Sequence, residues 1–371
     1  MKNTTCILFS DDYKSQRNPL ASGRTLASVP FGGRYRLIDF TLSSLVNSGI
    51  DTIGIITKDK YGSLVDHLSS GKDWDLNRRK GGLQILTPFV KEEYIITRTR
   101  SKIDALISAK EFIEYSKCEN IIIADTNLVA NINYEKMIKA HEDASCDITV
   151  LYKKSKDDCE GKISLEINGN QKIVGATFFE KEFSKSFNES LSVYIIKKDV
   201  LLKLLDKSYT YGFTDIDRDF VTRNLDTLNI IGFEQKNYCA VINSINSYYK
   251  ASMDLFDKNI RNELFDRENP ILTRVKNSSP TVYGFTGNVI NSFIADGCII
   301  NGEIENCIVF RDVVIEEGAK LKSCIIMQHT VIGKNVNLGC VITDKDVIVQ
   351  ENRSLSGYKS YPFVISKGTI A

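Results

Sequence analysis

Apolar residues follow two different spacings along this chain. From residue 5 to about residue 249, short apolar runs alternate with amphipathic stretches. Runs that are apolar throughout, such as residues 121–124, are typical of strands buried on both faces of a mainly parallel sheet. Strands are predicted at residues 52–57, 120–124, 147–152, 172–179 and 191–196, and helices at 39–47, 104–116, 134–144 and 244–257. This alternation predicts a doubly wound α/β domain.

The spacing changes in the last quarter of the chain. Residues 305–321 align with residues 322–338, and residues 339–355 fit the same register more loosely. Within these units an apolar residue recurs every five or six positions: Ile304, Val309, Ile315, Leu321, Ile326, Ile332 and Leu338. Three short strands per coil, with inward residues stacked in columns, give this period. We therefore predict a left-handed parallel β-helix from residue 282 to about 349, with an antiparallel sheet of coincidental spacing as the alternative.

The domain organisation follows from these two patterns. A chain of 371 residues is too long for one core. Residues 258–281 are polar, with Pro270 and Pro280 as breaks, and are predicted to be a linker. The predicted domains are therefore an α/β domain at residues 1–257 and a β-helix domain at residues 282–371.

Composition narrows the range of partners. Lys and Arg number 48 against 47 Asp and Glu, a net charge of +1, so no bulk field attracts nucleic acid or a membrane. No apolar stretch approaches the ~18 residues of a membrane span, and the apolar run at the N-terminus is too short for a signal peptide. Nine cysteines without a Cys-x-x-Cys pair suggest neither a disulfide framework nor a zinc site. We expect a cytoplasmic protein.

One long string carries a family resemblance. The string PFGGRYRLIDF occupies residues 30–40, and NSGI and SLVDHL follow at residues 47–50 and 63–68. Together they resemble the bacterial glucose-1-phosphate adenylyltransferases over nearly the whole chain, and most of all their poorly catalytic D-type subunit. The resemblance implies a Rossmann-like nucleotidyltransferase domain followed by a left-handed β-helix.

The same resemblance shows damage where the nucleotide phosphates would bind. In place of a glycine-rich loop the chain has Asp11 and Asp12, and its first glycine is Gly23. A triphosphate needs closely approaching backbone N–H groups, and two aspartates would repel it. Of the family's Arg-Ala-Lys-Pro string, Arg24 is kept, but Leu26 replaces the lysine that would pair with phosphate. The family's Gly-Thr-Ala string appears at residues 102–106 without its glycine.

The metal site implied by the resemblance is also incomplete. Two acidic residues in this family hold magnesium, because Mg²⁺ prefers carboxylate and phosphate oxygens. Asp125 is kept at the first position, whereas Val241 stands at the second. We therefore expect no intact catalytic residue, with Arg24 and Asp125 as vestiges, and no metal of the chain's own. Asp125 alone is equally consistent with a strand-end residue that caps a turn.

Other polar residues allow weaker predictions. Lys181 and Ser190 match the family's sugar-phosphate elements, although Lys181 could also be a solvated lysine. His67, His141 and His329 have no catalytic partners at suitable spacing. His329 could be the base of a β-helical acyltransferase, but those enzymes need more coils and a protruding loop, so a surface histidine is preferred. Cys307 and Cys324, one coil apart, are predicted to stack as small buried hydrophobes.

Three functions remain in view. The first is a non-catalytic subunit that modulates an active adenylyltransferase, the second a self-sufficient enzyme that makes ADP-glucose, and the third a sugar-phosphate sensor. The aspartate loop, Leu26 and Val241 argue against the second. The resemblance implies a heterotetramer with a catalytic subunit, magnesium only in that subunit, and a sugar-phosphate effector. No nucleic acid and no membrane are expected as partners.

Overall fold

The computed structural model describes residues 3–11, 19–58, 60–87, 101–156, 162–179 and 186–371. Within these residues a nine-stranded sheet forms the centre of the N-terminal domain. Along its main path the strands are ordered Ile173–Phe178, Ile163–Ile167, Phe187–Lys197, Asn120–Asp125, Thr4–Phe9, Thr52–Ile56 and Gly82–Leu86, with Ile148–Ser155 and Ile230–Glu234 paired off this path. Short strands lie outside this sheet at Pro30–Phe31, Tyr35–Arg36, Leu128–Ala130 and Cys239–Val241.

The predicted mainly parallel sheet is found in the half around Thr4–Phe9, whereas the other half is mixed. Thr4–Phe9 runs parallel to both of its neighbours, but the long strand Phe187–Lys197 runs antiparallel to Asn120–Asp125 and to Ile148–Ser155. The sequence pattern did not separate the two halves because an antiparallel strand covered on both faces is also apolar at successive positions. Ile195 and Ile196, both fully buried, are an example.

Helices cover both faces of the sheet, as a doubly wound domain requires. The α-helices are Leu37–Asn47, Gly62–Leu68, Lys102–Ser108, Lys110–Tyr115, Tyr134–Asp143, Lys198–Tyr211, Ile245–Asp254 and Lys258–Leu264, with a π-helical segment at Ile216–Val221. Short 3₁₀ turns lie at Pro19–Ala21, Leu26–Ser28, Lys72–Trp74 and Thr222–Asn224. Each face of the sheet has its own hydrophobic core. None of the helices in the described ranges is long and apolar enough to cross a membrane.

Residues 282–371 form the predicted left-handed β-helix. Its first sheet contains Val282–Tyr283, Ile299–Ile300, Val314–Ile315, Val331–Ile332 and Ile348–Val349. The second contains Asn288–Ile290, Glu303–Glu305, Lys320–Lys322, Asn337–Gly339 and Ser354–Ser356, and the third Phe293–Ile294, Ile308–Val309, Ile325–Ile326, Val341–Thr343 and Phe363–Ile365. All pairings are parallel, and the central coils are in a seventeen-residue register, for example Val314 opposite Val331. The seven predicted inward residues, from Ile304 to Leu338, are all buried, and they stack in one column on each of the three sheets.

The corners of the β-helix explain why its coils are so regular. Non-glycine residues adopt positive φ at successive corners: Asn306, Asp312, Ser323, His329, Asn335, Cys340, Asp346 and Asn352. Five of these are Asn or Asp, the residues that best tolerate the left-handed region. Cys307 and Cys324 lie one coil apart inside the β-helix, both fully buried and both with free thiols. His329 is a half-exposed corner residue.

The segment predicted as a linker has structure of its own. It carries the helix Lys258–Leu264, which the sequence analysis did not predict, and Leu264 and Ile271 are buried. These residues belong to a third hydrophobic core, which both domains build. Phe256 from the N-terminal domain stacks on Phe293 of the β-helix, with ring centroids 4.9 Å apart. The two domains therefore meet through a continuous apolar interface.

Candidate active site and domain junction

The carboxyl edge of the parallel strands positions the retained aspartate. Asp125 is the last residue of its strand and lies opposite Phe9, the last residue of Thr4–Phe9. In open α/β sheets, ligands bind outside this edge. The side chain of Asp125 is largely buried, and its Oδ2 lies 2.5 Å from Nζ of Lys102. The Lys102 ammonium also lies 5.6 Å from the centre of the Phe9 ring, a cation–π distance.

The sequence fixes Lys102 in this position through a helix cap. Ser101 Oγ accepts a hydrogen bond from the backbone N–H of Asp104, and Asp104 Oδ2 accepts one from the backbone N–H of Ser101. This reciprocal capping box starts the helix at Lys102. The first helical residue therefore extends its side chain over the strand ends. The helix that replaces the family's Gly-Thr-Ala string thus begins with a buried cation that pairs with the aspartate.

Val241 stands where the family resemblance implies a second acidic residue, so the second acidic position is apolar. Val241 ends the strand Cys239–Val241 and pairs with Leu128. The next backbone N–H, that of Ile242, donates to the carbonyl oxygen of Asn127 at 2.8 Å. Val241 therefore lies on the chain segment that is tied to the end of the Asp125 strand, and its side chain packs against the core of that sheet face.

These residues do not fit a magnesium ion. A divalent cation at this edge would need two oxygen ligands, yet one carboxylate is engaged by an ammonium group and the second is replaced by an isopropyl group. Within the described ranges, no group of three or more His, Cys, Asp or Glu side chains could hold a metal ion.

The aspartate of the phosphate loop is tied to the following turn. Asp11 Oδ2 accepts a hydrogen bond from Ser10 Oγ, and Oδ1 accepts one from the backbone N–H of Leu26. Burial raises the pKa of Asp11, although these hydrogen bonds oppose the shift. The Leu26 side chain is buried. Asp12, the other aspartate of the loop, lies outside the described residues.

Arg24 contacts the other domain. Its Nη2 lies 2.6 Å from both carboxylate oxygens of Asp344 in the β-helix, and both side chains are almost fully buried. Its Nη1 is buried without a hydrogen-bond partner among the described residues. The residue that was predicted to be a catalytic vestige is therefore an interdomain ion-pair residue in this structure.

Of the two sugar-phosphate candidates, only Ser190 lies within the described residues. Ser190 Oγ donates to Asp217 Oδ1 at 2.9 Å, so its proton is committed to the π-helical segment. The strand is irregular just beyond it, between Ser190 and Tyr194, where Ser192 has a φ of +54°. Lys181 lies outside the described residues.

A polar cavity of about 400 Å³ lies beside Val241 and was not predicted. The carboxylate of Glu189, only 3% exposed, stands between two lysines: Lys153 Nζ is 3.5 Å from Oε2 and Lys162 Nζ is 3.4 Å from Oε1. Glu189 Oε2 has no hydrogen-bond donor among the described residues. The wall also presents hydroxyl and amide groups and a third lysine, Lys250. Such a wall can donate to an anionic or polyhydroxylated ligand.

A second feature missed by the sequence analysis is a group of cations at the domain junction. It consists of Arg24, Arg36, Arg274, Lys276, Arg311 and Lys345, and we call it the junction cations. Burial, followed by the positive charges of Arg36 and Arg24, lowers the pKa of Lys345 to about 7. Burial, with further lowering by Arg24 and Arg274, brings the pKa of Arg36 to about 10. Their positive charges lower one another's pKa values, whereas Asp39 opposes this shift at Arg36 and Asp344 opposes it at Lys345.

Comparisons with known proteins agree with this architecture. Residues 16–258 match the nucleotidyl transferase family model, and residues 280–358 match a GlmU-like C-terminal hexapeptide model. The chain is 34% identical to the glycogen biosynthesis protein GlgD of Bacillus subtilis over 98% of this chain and 96% of that protein. It is 35% identical to GlgD of Geobacillus stearothermophilus over the same shares, and 29% identical to the glucose-1-phosphate adenylyltransferase of Bacillus cytotoxicus over 95% of this chain and 96% of that protein. The chain therefore belongs to the nucleotidyl transferase family, among the glucose-1-phosphate adenylyltransferases and their GlgD-type relatives.

Proposed function

We propose that this chain is a non-catalytic or weakly catalytic regulatory subunit in glycogen biosynthesis. It acts with a catalytic glucose-1-phosphate adenylyltransferase, which converts ATP and glucose 1-phosphate to ADP-glucose and diphosphate. Magnesium acts only in the catalytic subunit, and the two subunits form a heterotetramer. The observation that carries this proposal is the Lys102–Asp125 ion pair together with Val241.

The charge of the site supports the loss of catalysis. Phosphoryl groups that react at such a centre need cations that neutralise the developing negative charge, and each lost group of this kind costs several kcal/mol of transition-state stabilisation. Here the Lys102 charge is already balanced by Asp125, and Leu26 supplies no cation. Several parts of one reaction centre are therefore altered at once, while the surrounding fold is kept.

The kept fold supports a role in assembly. The turn Gly32-Gly33 has φ values of +59° and +84°, which glycine adopts without a steric cost, and it joins Pro30–Phe31 to Tyr35–Arg36. This hairpin packs into the core shared by both domains. A chain released from all function would be expected to lose such packing residues, so the fold itself is used.

A direct test compares the chain alone with the chain plus a catalytic subunit. We expect the pure chain to show no appreciable ADP-glucose synthesis with Mg²⁺. The co-expressed pair should elute together in size-exclusion chromatography, and the catalytic subunit's rate or substrate affinity should change. A turnover number on the order of 1–10³ per second from the pure chain would instead support the self-sufficient enzyme. Separate elution with unchanged kinetics would support the sensor.

The junction cations support a phosphorylated effector for this subunit, with a sugar phosphate as the ligand class. An anion placed among Arg24, Arg36 and Lys345 would relieve their mutual repulsion and would raise the lowered pKa of Lys345. Calorimetric titration with inorganic phosphate, fructose 6-phosphate and fructose tests this point. We expect heat from the two phosphates, none from fructose, and loss of binding in Lys345→Met but not in Lys322→Gln, an exposed control on the β-helix. Equal binding by both variants would contradict the effector proposal.

A further inference from the structure

One outer face of the β-helix carries an apolar column. In the first sheet, the inward residues Ile300, Ile315 and Ile332 are fully buried, so the residues beside them point outward. Registered pairing aligns these outward residues from coil to coil. The column, which we call the outer ladder, consists of Val282, Ile299, Val314, Val331, Ile348 and Ile370.

The other two faces of the β-helix provide a comparison, because one packs against the N-terminal domain and the other is exposed to solvent. On the third sheet, Ile308, Ile325 and Ile342 belong to the core shared with the N-terminal domain and are fully buried. On the second sheet the corresponding column is polar, and Glu303 pairs with Lys320 at 3.2 Å. The outward residues are therefore apolar on the face that packs against the N-terminal domain and polar on the face that contacts solvent.

The outer ladder has the composition of a covered face but is open to solvent. Val282 is 59% exposed, Ile299 and Ile348 are each 44% exposed, and Ile370 is 66% exposed. Val314 and Val331, the two central rungs, are half-buried. Single exposed apolar residues are ordinary, whereas a contiguous apolar patch marks an interaction site. All six residues are β-branched, so burying them would restrict few side-chain torsions.

We propose that the outer ladder is a self-association surface whose occupant is a second copy of this chain. Two copies related by a twofold axis present the same patch to each other, so the patch must complement itself. An uncharged ladder with a constant rung spacing of ~4.8 Å meets this condition. The neighbouring outward row supports it too, because Gly284, Asn301, Glu316, Gly333 and Gln350 include a single charge.

The size of the face sets the expected strength of the contact. Six rungs at ~4.8 Å with about five residues each give a face of about 450 Å², against about 800 Å² per partner in a standard interface. We therefore expect a reversible dimer with a dissociation constant in the micromolar range. The contact is independent of the proposed catalytic partner, because it uses residues of this chain only.

Sedimentation equilibrium of the full chain alone, from about 1 to about 100 µM, tests the proposal. The mass should rise with concentration from the 41.8 kDa monomer to the dimer. Val331→Lys and Ile299→Lys should each weaken dimerisation by more than about tenfold, since the dimer would bury unpaired charges. Asn337→Lys, the same change on the polar face, should leave dimerisation unchanged, and thermal melting of each variant should match the unmodified chain because all three positions point outward.

Three results would overturn the proposal. The first is a monomer throughout the concentration range. The second is a dimer that Val331→Lys and Ile299→Lys leave intact, which would place self-association on another surface. The third is a monomeric chain whose ladder variants lose binding to the catalytic subunit, which would give the outer ladder a different occupant.

Discussion

Neutralising Asp344 is expected to destabilise the whole chain, because Asp344 is the only carboxylate within 4.0 Å of the Arg24 guanidinium among the described residues. Arg24 lies 320 positions away in the sequence, and the two side chains are 5% and 4% exposed. In Asp344→Asn the guanidinium stays buried, next to the positive charges of Arg36 and Lys345, without an ion-pair partner. An amide oxygen can accept one hydrogen bond but cannot balance the charge.

The magnitude follows from distance and burial. At 2.6 Å and an effective dielectric constant of about 20, the Coulomb attraction is about 6 kcal/mol. Removal of one partner from a buried ion pair costs about 3–5 kcal/mol after relaxation. The Asn variant should fall in this range. The double variant Arg24→Met with Asp344→Asn should lose less stability than the sum of the two single variants, since neither partner of the pair then stays buried with an unpaired charge.

Urea unfolding followed by fluorescence reports the effect, because the chain has a single tryptophan, Trp74, which is fully buried in the N-terminal domain. Far-ultraviolet circular dichroism follows the β-helix in the same samples. Lys322→Gln, which removes an exposed ion pair with Glu305 at 3.0 Å, is the matched control and should cost less than about 1 kcal/mol. If Asp344→Asn is no more costly than this control, or if the two single substitutions add without coupling, our reading of the junction is refuted.

Three further predictions concern the site, the junction and the β-helix. Val241→Asp should restore neither ADP-glucose synthesis nor Mn²⁺ binding, because the Lys102 ammonium still occupies Asp125; micromolar Mn²⁺ binding detected by electron paramagnetic resonance would contradict this. The pKa of Lys345 is lowered from 10.5 to about 7 in the folded chain, so the unfolded chain binds more protons between these values and stability should rise with pH across this window. Urea unfolding at several pH values should show a flatter dependence in Lys345→Met. Burial raises the pKa of the Cys324 thiol, so native protein at pH 8 should react with a thiol reagent there only on unfolding, and rapid native labelling would refute this.

The β-helix was the part of the fold that the sequence determined best. Its seventeen-residue period recurs in every central coil, and each inward position is apolar. The sequence alone therefore aligns Ile315 with Ile332, and these two residues are paired in the structure. The antiparallel half of the large sheet gave no such signal, because the pattern of a strand covered on both faces is independent of its direction. The helix Lys258–Leu264 was missed because its polar residues face solvent and only Leu264 is buried.

The sequence predicted which residues lie at the candidate site, but not which side chains they contact. Asp125 and Val241 could be placed by their strings, and the structure brings their chain segments together through the contact between Ile242 and Asn127. Nothing local to Lys102 indicates that its ammonium pairs with an aspartate 23 residues later. The junction cations come from segments hundreds of residues apart, so their convergence is a property of the tertiary fold.

The core shared by the two domains has a consequence for how such chains can be recombined. In the sequence, the domain boundary lies near residues 258–281. The packing crosses this boundary, because residues of both domains belong to one hydrophobic core. These residues include Phe31, Phe40 and Tyr248 from the N-terminal domain and Ile308, Ile325 and Met327 from the β-helix. A β-helix transplanted onto another family member's N-terminal domain would supply only its own half of this shared hydrophobic core. Exchange between relatives should therefore succeed only where both halves of this core are exchanged together. The interior, more than the covalent linker, determines which segments are inherited as a unit.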